Sequence, residues 1–316
     1  MYKVLVIGCG NIGALYDINT NEITTHTKAW HSYPDKVDVT IFDTDANLLN
    51  LISDHYSCKS VENISVKTLS AFDCISICTP TYTHAEILHN AFLANVKTII
   101  CEKPISLKES DFNKLIRSYQ GNNSRVLVNY IRRFLPSFSD LKRTFEELMI
   151  DNSITNISVR YQRGFLNNCS HAFDLIEYLF DRKLLLDDVT IHNSVNDHFD
   201  YDPTISLQGY WNAINVSVQG LSNILFSYFE IDIFLTKHKI SIKNSGDTIE
   251  FFESNSEGVF FKPLNLDIQK SQYNCLKNYM KFVIDEVLLL MDGTILADNF
   301  IDAIDLNQRM LKYIKN

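Results

Sequence analysis

Three glycines, at residues 8, 10 and 13, and an aspartate at residue 43 are the first residues whose types and spacing point to chemistry. Gly8-Cys9-Gly10-Asn11-Ile12-Gly13 follows the apolar run Val4–Ile7 and reads G-x-G-x-x-G directly after a strand. In a dinucleotide-binding turn the first glycine makes the bend and the second lets a pyrophosphate approach the backbone. The third lets the following helix pack on the strand. The N-terminus of that expected helix offers N–H groups and a partial positive charge to phosphates. Gly8, Gly10, Asn11, Ile12 and Gly13 are therefore candidate nucleotide contacts. Asp43 ends the second apolar run, in Ile41-Phe42-Asp43-Thr44-Asp45. A carboxylate there can accept ribose hydroxyls and repels a 2′-phosphate, so NAD is expected as cofactor in preference to NADP. The interval before Asp43 exceeds the common one of about 20 residues. The excess, residues 16–34, reads as an extra loop beside the phosphate site. Asp45 is the competing carboxylate, and a solvated strand end is the plain alternative for Asp43.

The elements that must position these residues follow from periodicity. Up to about residue 130, apolar runs at Lys3–Ile7, Val37–Phe42, Cys74–Cys78, Thr98–Cys101 and Arg125–Tyr130 read as strands. Helical patterns near Ala46–His55, His84–Asn95 and Glu109–Tyr119 lie between them. This alternation predicts an α/β Rossmann domain, a doubly wound parallel sheet, over residues 1–124. After a helix at Ser137–Met149 the character changes. Ile154–Tyr161, Thr204–Gly220 and Ile224–Asn244 are rich in β-branched and aromatic residues. They predict an α+β domain over residues 125–316 with a large open, mostly antiparallel sheet. Helices are expected at Ser170–Phe180, Lys270–Met291 and Asp298–Ile314. A half-apolar open sheet face is poorly left in water, so a homodimer or homotetramer is expected.

Bulk properties narrow the function classes. At 316 residues the chain exceeds the usual single core. Its net charge of −9 argues against nucleic acid or an anionic membrane as partner. No apolar run approaches the roughly 18 residues of a membrane helix, and the first strand is too short for a signal peptide. The seven cysteines form no CxxC pair. Cys74 and Cys78, in one strand, would be about 13 Å apart, beyond disulfide reach. Scattered reduced thiols fit a cytoplasmic protein. No metal site is assigned, since the histidines lack ligand spacing.

Ligands of an open α/β sheet bind outside the carboxyl ends of its strands. Thr79–His84 and Glu102–Pro104 both occupy such ends. Lys103 is thus expected on the nicotinamide side of the crevice, a solvated lysine being the alternative. Glu102 is either an orienting partner or an ordinary strand-end charge.

Thr79-Pro80-Thr81-Tyr82-Thr83-His84 and Cys101-Glu102-Lys103-Pro104, taken with the glycine motif, resemble the glucose–fructose oxidoreductase / inositol dehydrogenase / rhizopine catabolism (Gfo/Idh/MocA) family. Its members share a T-P-x-x-x-H turn and an E-K-P turn at these places. Asn129–Pro136 is similar to the family's segment joining two domains, and His171-Ala172-Phe173-Asp174 to its H-x-x-D. The resemblance runs to about residue 180. It implies Lys103 and His171 as the catalytic pair, the lysine at the substrate oxygen and the histidine as general acid/base. Imidazole suits that role because its unperturbed pKa lies near neutrality. Thr79, Pro80, His84, Glu102 and Lys103 join the cofactor contacts. Lys103, Arg133, Arg163, Asn167, Asn168, His171 and Asp174 are the candidate substrate contacts. Arg163, expected to share a strand face with Tyr161, could meet a phosphate of a nucleotide-linked substrate; a solvated arginine is the alternative. Asp174 either orients a partner or packs the domain interface. One departure stands out. Many members carry D-x-G-x-H, whereas this chain has Asn167-Asn168-Cys169-Ser170-His171. Asparagine cannot accept a proton but can bind a sugar hydroxyl.

The implied activity is NAD-dependent hydride transfer at a secondary alcohol of a sugar, cyclitol or nucleotide sugar. An NAD-retaining glycosidase or epimerase, or a dinucleotide-dependent sensor without chemistry, are the alternatives.

Overall fold

The computed structural model describes residues 1–255, 262–295 and 298–315 and divides into two compact units. The first comprises Met1–Phe134 with Asn278–Gln308, the second Leu135–Lys277 with Arg309–Asn316.

The first unit is built on six parallel strands: β1 (Tyr2–Ile7), β2 (Val37–Phe42), β3 (Lys59–Ser60), β4 (Cys74–Ile77), β5 (Thr98–Cys101) and β6 (Arg125–Val128). Their order is β3-β2-β1-β4-β5-β6, the doubly wound arrangement whose crevice lies where the strand order reverses, between β1 and β4. The connecting helices are α1 (His26–His31), α2 (Ala46–Tyr56), α3 (Val66–Leu69), α4 (Thr81–Leu93) and α5 (Glu109–Gln120). Strands buried on both sides need apolar residues in succession, and β4 and β5 are buried at every position.

The second unit opens with α6 (Pro136–Leu148) and β7 (Ile154–Tyr161), followed by α7 (Ser170–Phe180). Then come β8 (Asp187–Val195), β9 (Thr204–Trp211), β10 (Ile214–Gly220), β11 (Phe229–Leu235), β12 (His238–Lys243), β13 (Thr248–Glu253) and β14 (Asn265–Tyr273). The eight strands run β14-β13-β12-β11-β7-β10-β9-β8, antiparallel except for β7 beside β10. Thr204–Gly220 is a hairpin rather than one strand. Its turn residues Asn212 and Ala213 both have positive φ, as a two-residue hairpin loop requires. On one face of the sheet Tyr161 and Trp211 meet aromatic rings of Phe165 and of α7 (Phe180). The outward rows are mixed rather than half-apolar: Arg160 bridges Glu230 and Asp232, and Lys239 sits over the Phe234 and Phe252 rings.

Two sequence expectations are revised. The boundary at residue 124 would sever β6, which pairs with β5 throughout its length. The expected helix Lys270–Met291 is two elements. Gln272 and Tyr273 pair with β13, the chain turns at Asn274 and Asn278 with positive φ, and α8 covers only Tyr279–Met291. Helix α8 then returns to the first unit. Its Met280, Val283, Ile284 and Val287 share a buried cluster with Val4, Val39, Trp30 and Ile100. The last helix, α9 (Phe300–Lys315), contributes Phe300 to the opposite face, where its ring meets Phe92 of α4.

Candidate functional site

The first unit holds a cleft of about 480 Å³ at the carboxyl edge of its sheet. Gly8, Gly10, Asn11, Ile12, Asp43 and Thr79 are among its lining residues. The three glycines differ in what a side chain would meet. Gly8 has φ +97°, and a Cβ there would lie 2.9 Å from the Cys78 carbonyl and Thr79 nitrogen. At Gly13 a Cβ would fall 1.9 Å from the Gly8 carbonyl oxygen. At Gly10 nothing lies within 4 Å. Two glycines are therefore needed by the protein's own packing, and the middle one borders open space. That is the cradle a pyrophosphate requires.

The chain beyond the motif differs from the expected helix. Asn11–Leu15 is a five-residue π-helical turn, in which Ala14 and Leu15 both donate to the Gly10 carbonyl. Fully buried Asp17 then pins the inserted segment, accepting the Thr24 and Thr25 N–H groups and the Thr25 hydroxyl. The phosphates would thus meet a short turn rather than a long helix dipole.

Asp43 is tied to the glycine loop. Its Oδ2 accepts the Cys9 N–H at 2.6 Å and its Oδ1 the Asp45 N–H at 2.9 Å. A carboxylate has about four acceptor positions, so capacity for ligand hydroxyls remains. Asp45 is engaged elsewhere, capping α2 through the Asn47 and Leu48 N–H groups. The Cys9 thiol beneath the loop is pushed up to about 12 by burial and by Asp43, which keeps it protonated.

Next to the cleft, His84 is buried and joins two turns. Its Nε2 lies 2.7 Å from the Thr79 carbonyl oxygen and its Nδ1 2.9 Å from that of Pro104. Burial pushes this ring below its ordinary pKa, opposed by the two carbonyls and by Glu102. A neutral ring can donate to only one of those oxygens, so full pairing needs the charged form. His84 thereby holds the Thr79 and Pro104 turns rather than standing at the cleft surface. The Lys103–Pro104 bond is cis, and Lys103 is half-buried. Arg133 is half-buried in the 3₁₀ turn Ile131–Phe134.

Glu102 is buried and hydrogen-bonded rather than a solvated strand-end charge. Its Oε1 meets His26 Nε2 at 3.0 Å and Asn129 Nδ2 at 2.6 Å. Burial alone would raise this carboxyl, but the His26 and Asn129 hydrogen bonds and the Lys103 charge together hold it below the usual carboxylate range.

In the second unit β7 ends at Tyr161, whose hydroxyl donates to the Ile205 carbonyl and accepts the Ile205 N–H. Arg163 lies past the strand, exposed, with φ +65°, so the strand alternation that paired it with Tyr161 does not reach it. Arg160, on the outer sheet face, is held by Asp232 at 2.7 Å. Gly164 has φ +83° and a Cβ there would lie 2.2 Å from Asp202 Oδ2. Buried Asp202 accepts the Leu166 and Asn167 N–H groups, capping the π-helical turn Phe165–Cys169. The amide groups of Asn167 and Asn168 donate to the Arg163 and Gln162 carbonyls. His171 follows half-buried in the first turn of α7, and Asp174, one turn on, is buried.

His26, Asp17, Asn129 and Asp202 were not singled out by sequence. For His26 a signal existed, since Thr25 is an N-cap residue opening a helical pattern toward Ala29-Trp30. Asp202 had none, because it acts 36 residues from its target.

A family model described as oxidoreductase family, NAD-binding Rossmann fold (GFO_IDH_MocA) matches residues 2–130. Inositol 2-dehydrogenase of Rhizobium meliloti (strain 1021) is 24% identical over 214 residues, 62% of this chain and 62% of that protein. The matched stretch is thus under two thirds of that relative's length. Among solved structures, UDP-N-acetylglucosamine 3-dehydrogenase GnnA from Acidithiobacillus ferrooxidans has a TM-score of 0.72 at 17% identity, covering 99% of this chain and 95% of that one. The super-repressor mutant of Gal80p from Saccharomyces cerevisiae has a TM-score of 0.77 at 12% identity, covering 99% and 95%. At such identities the two structures show a common fold. Among the described residues no helix is long and apolar enough to cross a membrane.

Proposed function

We propose that the chain, whose residues 2–130 match the NAD-binding model of the Gfo/Idh/MocA oxidoreductase family, transfers a hydride between NAD(H) and a secondary alcohol of a sugar, cyclitol or nucleotide sugar. The observation that carries the reading is Gly10, open to space between two glycines closed by packing, with Asp43 fastened to the same loop. The Asp43 carboxylate beside the cleft favours NAD over NADP, because a 2′-phosphate would meet a negative charge.

When bound, the nicotinamide supplies the hydride acceptor. The protein's own tasks are to hold the substrate and manage a proton. Lys103, in the first unit, holds the substrate oxygen and offsets its growing negative charge. His171, in the second, takes the hydroxyl proton on an imidazole nitrogen. Asn167 and Asn168 present amide oxygens to substrate hydroxyls, since their NH₂ groups are turned to backbone carbonyls. Arg133, Arg163 and Asp174 complete the proposed substrate contacts. Inositol 2-dehydrogenase and UDP-N-acetylglucosamine 3-dehydrogenase, among the similar proteins, support cyclitols and nucleotide sugars as the first substrates to try.

A panel of these compounds with NAD, followed by NADH absorbance, tests the reading. On the substrate so found, His171→Ala should lower turnover by about 10²–10⁴-fold, and Lys103→Met by a comparable factor, while NADH binding survives in His171→Ala. Unchanged turnover in either variant removes that residue's role. A sensor without chemistry is the second reading, favoured by the fold shared with a super-repressor mutant; it predicts NADH binding with no turnover on any member of the panel. We further propose a homo-oligomer.

A further inference from the structure

The carboxylate of Glu102 is held in an asymmetric way. Both hydrogen bonds that it accepts among the described residues fall on Oε1, from His26 and Asn129. The side chain keeps 12% of its exposure at the carboxyl end of β5, the edge where the nucleotide cleft lies. His26 has no exposure at all, and among the described residues its Nδ1 has no hydrogen-bond partner. Nε2 is therefore the ring's single anchor, and facing a carboxylate it carries the proton.

The segment that delivers His26 is built for the purpose. It interrupts the ordinary passage from glycine turn to helix, and its N-terminal cap is locked by the buried Asp17 carboxylate on Thr24 and Thr25. His26 is the first residue after that cap. Its neighbour across the site, Asn129, follows β6, and among the described residues its Oδ1 likewise has no partner. A buried imidazole and a buried amide each leave one polar atom unsatisfied among the described residues, at a cost in stability. Both nonetheless converge on one oxygen of one carboxylate.

We propose that His26 is a positioning residue for the cofactor site: by donating to Oε1 of Glu102 beside Asn129, it turns Oε2 outward as an acceptor for a hydroxyl or amide of the nicotinamide half of the dinucleotide. This rests on the proposed NAD-dependent function. The remaining ionisable groups around Glu102 are Lys103 in its own turn, Cys101, Cys78 at the end of β4, His84 in α4 and Tyr279 in α8. Burial drives both thiols and the phenol upward, so they stay neutral. Lys103 and His26 are the groups that favour the Glu102 anion, with Asn129. Without His26 the opposing effect of burial gains, and Glu102 takes up a proton at higher pH. A protonated Glu102 is a poorer acceptor.

NADH titrations of wild type, His26→Ala and His26→Gln at about pH 6 and about pH 8 test this, since one unit of pKa corresponds to a tenfold change. The Gln amide nitrogen stands where Nε2 stands and can still donate. His26→Ala should lose more NADH affinity at the lower pH than at the higher. His26→Gln should track wild type at both, with thermal melting verifying that each variant folds. Equal weakening of His26→Ala at both pH values, or a folded His26→Gln that fails to restore affinity, overturns the proposal. If wild type itself ignores NADH, the NAD reading fails, and infrared difference spectra still decide the His26 link. A protonated-carboxyl band should appear at the lower pH in His26→Ala and be absent from His26→Gln and from the double variant with Glu102→Gln. Its absence from His26→Ala overturns the link.

Discussion

Packing requires glycine at two positions of the loop, and the proposed role of the third is to admit a ligand; substitution separates the two reasons. Gly10 has φ −65° and ψ −159°, values an alanine adopts without strain. Gly10→Ala should leave the melting temperature unchanged or raise it, by the equivalent of about 0.4–1 kcal/mol, while NADH affinity falls because the methyl occupies the pyrophosphate's path. Gly13→Ala drives a methyl into the Gly8 carbonyl and should destabilise by roughly 3 kcal/mol, ligand or none. Calorimetry with NADH titration reads both quantities, and a Gly10→Ala protein that binds NADH normally would remove the cradle from the account. The two aspartates separate in the same manner. Asp45→Ala should lower stability by about 1 kcal/mol as a lost helix cap and leave the cofactor preference untouched. Asp43→Asn should narrow the gap between NADH and NADPH. The glycine turn and the strand end at Asp43 were legible in the sequence because both are local features. Choosing between Asp43 and Asp45 needed the structure, since only there does one carboxylate face the Cys9 N–H and the other the α2 amides.

At the scale of elements, strands buried on both faces announced themselves as unbroken apolar runs, and β2 and β5 match their expected bounds. Helix α7 does so as well, its apolar stripe ending at Phe180 where Asp181 turns with positive φ. What periodicity could not say is where an element goes. The apolar face of α8 would suit either sheet, and only packing sends Met280, Val283 and Ile284 to the first unit. The inserted segment reads as an extra loop in the sequence, but its internal order was hidden for a related reason. Its order comes from Asp17 and from the contact between His26 and Glu102, both made over long spacings or by single side chains. That contact has a pH signature. The Glu102 carboxyl lies below its ordinary value in the folded protein. It therefore contributes stability that is present above the ordinary carboxylate range and is lost as pH falls through the folded value. Urea unfolding as a function of pH should show a shallower acid loss in Glu102→Gln than in wild type; identical slopes would mean that the pair contributes nothing to folding.

At the scale of the whole molecule, the proposed site residues are divided between two compact units. The first holds the cleft, Lys103 and Glu102, the second His171 and the asparagine-bearing turn. The outer face of the eight-stranded sheet bears a row of opposed charges, with Asp232 receiving both Arg160 and Lys239. Such a face can meet its own copy with like rows offset against unlike ones, and sedimentation at micromolar concentration should return a species heavier than the 36.4 kDa chain. A monomer would contradict the homo-oligomer. The claim on which everything else depends is that the cleft takes NAD. Titration of NADH and NADPH in parallel, by calorimetry on the wild-type protein, addresses it without knowledge of the substrate. Saturable one-to-one binding of NADH is expected, about tenfold or more tighter than that of NADPH, the discrimination of a carboxylate against a phosphate. Tighter binding of NADPH, or no binding of either, would contradict it.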